Sequence, residues 1–143
     1  MKKYIVLFLT IPILSCCNDS NFNNNNPYLP NYSFSVNINT NLPSYSNLKF
    51  ASNAVYTSEA GVRGLIIFNT GSGYTAFDAA CPNQNLSDCS TMTIKGINAL
   101  CSCDTAEYSL FSGQCSGSQC AGKQYSLKQY RVEVNGSSIR VYN

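Results

Sequence analysis

Residues 79–113 read AACPNQNLSDCSTMTIKGINALCSCDTAEYSLFSG. They hold two cysteine clusters, Cys81 with Cys89 and Cys101 with Cys103. Each cluster opens just behind a segment patterned as a β-strand, YTAFDAA before the first and INAL before the second. Between them, TMTIKGINAL reads as two short strands turning near Gly96. Two loops joined by one hairpin are expected to lie side by side. The chain contains no histidine, so the commonest nitrogen partner of cysteine in a metal site is missing.

The flanks carry the same period-two pattern. GLIIFNTGSGYTAFDAA is a continuous apolar strand, a turn at Thr70 to Gly73 and a second strand. YSFSVNI places Tyr32, Phe34, Val36 and Ile38 on one face. In YRVEVNGSSIRVYN, Asn135-Gly136 supplies the positive backbone angles of a tight hairpin turn between Val132/Val134 and Ile139/Val141. No sustained helical stripe occurs, and the five prolines and nine glycines punctuate short strands. The expected class is all-β, built from stacked antiparallel sheets.

The start of the chain is of another kind. Met1-Lys2-Lys3 precedes the apolar run YIVLFLTIPIL, which ends at Ser15-Cys16. A basic start, about a dozen apolar residues and a small residue before the break read as an export signal. Ile13-Leu14-Ser15-Cys16 resembles the lipobox of bacterial lipoproteins, which implies lipidation of Cys16 and cleavage before it. Cys17 fits less well, since cleavage there would follow a cysteine. Several acyl chains anchor stably where one does not, so the expected location is the bacterial cell envelope, lipid-anchored on the periplasmic or outer-membrane side. The sequence thus divides into a signal peptide at 1–15, a lipidated Asn-rich tether at 16–32 and a β domain at 33–143. The tether has almost nothing to bury. Loss of Lys2 and Lys3 leaves the basic residues equal in number to the seven acidic ones. No basic patch remains to hold nucleic acid; the expected partners are the membrane, through the anchor, and a protein of the envelope.

Around the two loops the residues resemble the Rieske iron–sulfur domain, whose loops carry C-x-H and C-x-x-H. Cys81-Pro82-Asn83 matches the first loop and Cys101-Ser102-Cys103-Asp104 the second, with seventeen residues between Asn83 and Cys101. CSCDTAEYSLFSG matches the segment that follows, with Tyr108 on its aromatic and Gly113 on its closing glycine. YSLKQYRVEVNGSSIRVYN resembles the closing segment and its hairpin. The resemblance implies three packed antiparallel sheets with the Cys81 and Cys101 loops adjacent at one end. It implies metal-ligand positions at Cys81, Asn83, Cys101 and Asp104, of which the second and fourth are histidine in the family. Two histidines on one iron raise the potential of such a centre and couple it to protons. Neither property is open to this chain.

Two readings of the six domain cysteines carry the weight; a third, redox thiol chemistry, lacks the C-x-x-C at a helix start that lowers a thiol pKa. In an exported protein an even count defaults to disulfides, and Cys81, Cys101, Cys89, Cys103, Cys115 and Cys120 are all candidates, with no cofactor. Six cysteines permit 15 connectivities. The family's geometry brings Cys81 and Cys101 together, and some respiratory members have a further loop-to-loop disulfide with one half at the position of Cys103. The nearest partner for it here is Cys89, while Cys115 and Cys120 enclose SGSQ and could close a local ring. Alternatively, Cys81, Cys89, Cys101 and Cys103 supply four sulfurs for zinc or a [2Fe–2S] cluster, with Asp104 as an oxygen ligand and Asn83 as a weak one. The first reading makes the chain a binding or structural module, the second an electron carrier. Asp78 and Glu107 are lone carboxylates. With no G-x-S-x-G, H-E-x-x-H or Gly-rich phosphate loop, the sequence carries no catalytic constellation.

Overall fold

The computed structural model describes residues 25–143; the signal peptide and Cys16 lie outside the described residues. Its strands are β1 (Ser35–Asn39), β2 (Ala54–Thr57), β3 (Leu65–Asn69), β4 (Tyr74–Asp78), β5 (Thr93–Lys95), β6 (Asn98–Leu100), β7 (Glu107–Ser109), β8 (Cys115–Ser116), β9 (Gln129–Asn135) and β10 (Ser138–Tyr142). They form two antiparallel sheets, one in the order β1-β10-β9-β4-β3-β2 and one in the order β5-β6-β7-β8. Among the described residues, no helix is long and apolar enough to cross a membrane.

The wall between the two halves of the core is β3, whose five residues are all buried. Its alternation sends Leu65 and Ile67 to one side and Ile66 and Phe68 to the other. A strand covered on both faces reads as a near-continuous apolar run, which is why LIIF is apolar without a break; Asn69, at its end, is buried with its amide donating to Leu48 O. On the first side, Leu65, Ile67 and Ala76 meet Ile38, Ile139, Val141 and Tyr130. The large sheet thus curls so that β1, β10 and β9 cover its own β3–β4 hairpin. On the other side, Ile66, Phe68 and Phe77 meet Ala99, Tyr108 and Leu110 of the small-sheet region. Burial of each large side chain contributes roughly 1.5–3 kcal/mol.

Three expectations are revised. The sheets number two, because Ala76 pairs with Tyr130 and Phe77 with Gln129. That short ladder ties the terminal hairpin ribbon to β4, where a separate third sheet was expected. Tyr32 is 57 % exposed and lies outside β1; only Phe34, Val36 and Ile38 of its expected face reach the core. Residues 25–32, assigned to the tether, lie against the domain. Leu29 is buried, Tyr28 stands edge-on to Tyr125, and the Lys128 ammonium donates to Pro30 O and to Asn31 Oδ1 at 2.6 Å. The asparagine-rich composition hid two apolar residues that suffice to dock this stretch.

The hairpins form where the sequence placed them, but the last turn sits one residue later than expected: Asn135 stays in β9, and Gly136 alone of the Asn135-Gly136 pair takes a positive φ. Asn135 pairs with Ser138 across Gly136, whose φ is +59°. Lys95 pairs with Asn98 across Gly96, and Asn69 pairs with Tyr74 across the Thr70–Gly73 turn. Gly113 has φ +73°, and a Cβ there would stand 2.8 Å from the Phe77 ring. Only glycine fits both the angle and the contact.

Candidate functional site

The two cysteine loops lie together at one end of the domain. The first leaves β4 and is closed at its base: Cys81 N donates to Ser90 O at 2.8 Å, Met92 N to Ala79 O at 2.7 Å, and Ala80 bridges Thr91. Ser90, fully buried, holds the far turn through bonds with Ser87. Arg63 donates from Nη2 to Ser87 O at 2.9 Å, fastening the loop to the segment before β3. The second loop links β6 to β7. Cys101 N donates to Ala106 O and Thr105 N to Cys101 O, each at 2.9 Å. Thr105 takes a left-handed φ of +61° to complete the turn, and the Asp104 carboxylate accepts from Ala106 N at 3.0 Å.

Three disulfides crosslink this end. Cys81–Cys101 has a Cα separation of 5.6 Å and joins the two loop openings. Cys89–Cys103 joins the same loops further out, and Cys115–Cys120 closes the local ring around SGSQ. Cys81 and Cys101 are buried in the core among Met92, Tyr108 and Leu127. The sulfurs of Cys81, Cys101 and Cys103 all lie within 4.8 Å of one another.

Asn83 and Asp104, the two residues that the sequence resemblance sets at histidine positions, are half-buried and bonded within the domain. Asn83 Nδ2 donates to the Tyr108 hydroxyl at 3.0 Å and to Tyr125 O at 2.7 Å. Its Oδ1 accepts from Gln124 N and Tyr125 N, both at 2.9 Å. The second Asp104 oxygen pairs with the Lys123 ammonium, and that carboxylate raises the lysine's pKa. Burial pushes the Tyr108 hydroxyl up as well, keeping it neutral as the acceptor of Asn83. Both loops are therefore clasped to one segment, Lys123 to Tyr125. Sequence reasoning missed that segment, because polar loop residues carry no periodicity to mark them.

The other two carboxylates are structural. Asp78 is fully buried and accepts from Val62 N, Arg63 N, Ala80 N and the Tyr130 hydroxyl. Glu107 pairs with Lys95 and Asn98 on the small sheet.

Against known proteins, no family model and no curated protein matches the chain. Among solved structures it is similar to one described as the complex of reduced oxygenase and oxidized ferredoxin in carbazole 1,9a-dioxygenase. The alignment covers 77 % of this chain and 92 % of that one at 17 % identity, with a TM-score of 0.50. The ferredoxin of carbazole 1,9a-dioxygenase from Nocardioides aromaticivorans IC177 aligns over 64 % of this chain and 86 % of its own, at 12 % identity and TM-score 0.45. The Sphingomonas yanoikuyae B1 ferredoxin aligns over 64 % and 83 %, at 16 % and 0.43. The fold is all-β and Rieske-like, with Cys81, Cys89, Cys101 and Cys103 in loops. Function lives in the site placed on a fold. The residues present do not fit a His-ligated cluster: Cys81 and Cys101 are bonded to each other, Asn83 and Asp104 are an amide and an ion-paired carboxylate, and the chain has no imidazole.

Proposed function

We propose that this chain is an envelope lipoprotein, anchored through acylated Cys16. Its Rieske-like domain serves as a disulfide-stabilised binding or structural module for a protein partner in the envelope, without a His-ligated cluster. One observation carries the reading. The four residues that the resemblance sets at cluster positions are spent on holding the loops: Cys81 bonds Cys101, while Asn83 and Asp104 clasp Gln124, Tyr125 and Lys123. A cluster lends such a loop end its order. Here covalent closure substitutes, since NQNLSD and SGSQ offer almost nothing apolar to pack. Each of the two loop-to-loop bonds constrains the unfolded chain by about 3 kcal/mol in the entropic account.

The test is metal analysis, visible absorbance and thiol counting on protein purified from its native envelope. The expected outcome is a colourless protein with no stoichiometric iron or zinc and no titratable thiol among the six domain cysteines. Stoichiometric iron with visible absorbance would overturn it. A second reading would then stand, that of an electron carrier with a thiolate-held [2Fe–2S] centre; zinc at the same sulfurs would be structural, since it carries no electrons. The gathering of the Cys81, Cys101 and Cys103 sulfurs within 4.8 Å favours it.

A further inference from the structure

The two loop-to-loop disulfides are graded by exposure. Cys89 is exposed, Cys103 half-buried, and Cys81 and Cys101 are 1 % and 0 % exposed. They are also close together: Cys103 Sγ lies within 4.8 Å of the sulfurs of both Cys81 and Cys101. Ser87 Oγ stands 3.4 Å from Cys89 Sγ and 3.7 Å from Cys103 Sγ. Its hydroxyl can donate to either sulfur, and so to the thiolate that opening of this bond releases. The Asp104 carboxylate beside Cys103 is paired with Lys123, which offsets its opposition to a negative charge on that sulfur. Exchange between thiols and disulfides is governed by access and by stabilisation of the leaving thiolate, and both conditions are met at the outer bond.

We infer that the paired disulfides form a thiol–disulfide relay, in which the exposed Cys89–Cys103 bond accepts reducing equivalents from an external dithiol and passes them to the buried Cys81–Cys101 bond. A thiolate of the dithiol attacks Cys89 Sγ. The bond to Cys103 breaks, a mixed disulfide forms at Cys89, and the electron pair leaves on Cys103. Cys103 Sγ then attacks Cys81 Sγ, forming a Cys81–Cys103 bond and releasing the sulfur of Cys101, which ends as a thiol; its proton and that of Cys89 balance the two that the dithiol gives up. The second thiol of the dithiol resolves the mixed disulfide, freeing Cys89 as a thiol and leaving the dithiol oxidised by two electrons. The loops stay crosslinked throughout, and the core sulfur of Cys101 is reduced without the reductant entering the core. The inference rests on the disulfide reading of the loops. Iron or free thiols in the purified protein would end that reading, whereas intact disulfides that never exchange would end the relay alone.

The test exposes the oxidised full chain to limiting dithiothreitol, followed by acid quench, alkylation and peptide mapping. Thiols at Cys89 and Cys101, together with a Cys81–Cys103 bond, are expected in the first products. Removing the outer pair, as Cys89→Ala with Cys103→Ala, should slow opening of Cys81–Cys101 about tenfold or more at the same dithiol concentration. The single change Cys89→Ser leaves a free thiol at Cys103; a rearranged bond from Cys103 to Cys81 or Cys101 should then appear, without reductant, in roughly a tenth or more of the molecules. Should the double variant fail to fold, the Cys89→Ser map decides alone. Pairwise release of Cys89 with Cys103 and then Cys81 with Cys101, without any rearranged bond, would overturn the relay. So would a Cys89→Ser chain in which Cys103 is the sole domain thiol.

Discussion

Asn83 and Asp104 sit on different loops yet bind consecutive residues of one segment: Asp104 pairs with Lys123, and Asn83 accepts from Gln124 N and Tyr125 N. The two side chains act as the jaws of a clasp. The clasp also reaches the N-terminal stretch, since Tyr125 stands against Tyr28, and Asn26 Nδ2 donates to Pro82 O at 2.7 Å. In a Rieske-like domain these are the positions expected to hold iron. In this chain Asn83 holds backbone and Asp104 holds a lysine side chain.

The clasp predicts a cost for its removal. Asn83→Ala leaves Gln124 N, Tyr125 N and Tyr125 O without the partner that joins them to the first loop. Leaving such groups unpaired costs about 1–3 kcal/mol, and chemical denaturation should show a loss in that range. The same variant should raise amide exchange at Gln124 and Tyr125 before the β3–β4 hairpin responds. Unchanged exchange at both amides would show that the clasp does not hold the segment.

The crosslinks predict an order of stabilities. Cys81 and Cys101 are 20 residues apart and buried, whereas Cys115 and Cys120 are 5 apart and half-buried. In the entropic account the long loop contributes about 3 kcal/mol and the short one about 2. Replacing the buried pair by alanine also removes two sulfurs from the core, so Cys81→Ala with Cys101→Ala should lower the unfolding midpoint well below that of Cys115→Ala with Cys120→Ala. Denaturant melts of the two double variants provide the comparison.

Alkaline pH should weaken the fold through Tyr130. Its hydroxyl donates to the buried Asp78 carboxylate at 2.7 Å. Burial, and then the Asp78 charge, push its pKa far above the ordinary value near 10. Above pH 10 the unfolded chain releases the phenolic proton while the folded one keeps it. The stabilising contribution is therefore complete below that pH and is lost as pH climbs toward the folded-state value. Tyr108 and Lys123, also raised, act in the same direction. Tyr130→Phe should be less stable at neutral pH by about 1–3 kcal/mol, because Asp78 loses a donor, and should show a shallower decline above pH 10. An equal slope for both proteins would assign the alkaline loss to other groups.

The anchor is tested in cells. Cys16→Ala should abolish lipid labelling and release the domain from membranes, while Cys17→Ala should have little effect. Membrane retention of the Cys16 variant would remove the basis for the lipoprotein assignment.

Much of the architecture is written locally. The unbroken apolar run Leu65–Phe68 marked a strand covered on both faces, Asn135-Gly136 marked a hairpin, and the strand before each cysteine loop marked where that loop would open. These features were legible because side-chain period and turn chemistry depend on neighbours only a few residues away. The all-β class and the adjacency of the two loops follow from them. What the loop residues do depends on partners far along the chain. Asn83 meets Tyr125 across 42 residues, Lys128 meets Pro30 across 98, and one pairing of the six cysteines is selected from 15. No local pattern encodes such choices; packing of the two sheets makes them. The tertiary structure alone joined Cys81, Cys101, Asn83 and Asp104 into a staple and a clasp, because it brought the two loops together and set Lys123 to Tyr125 within hydrogen-bond reach of both.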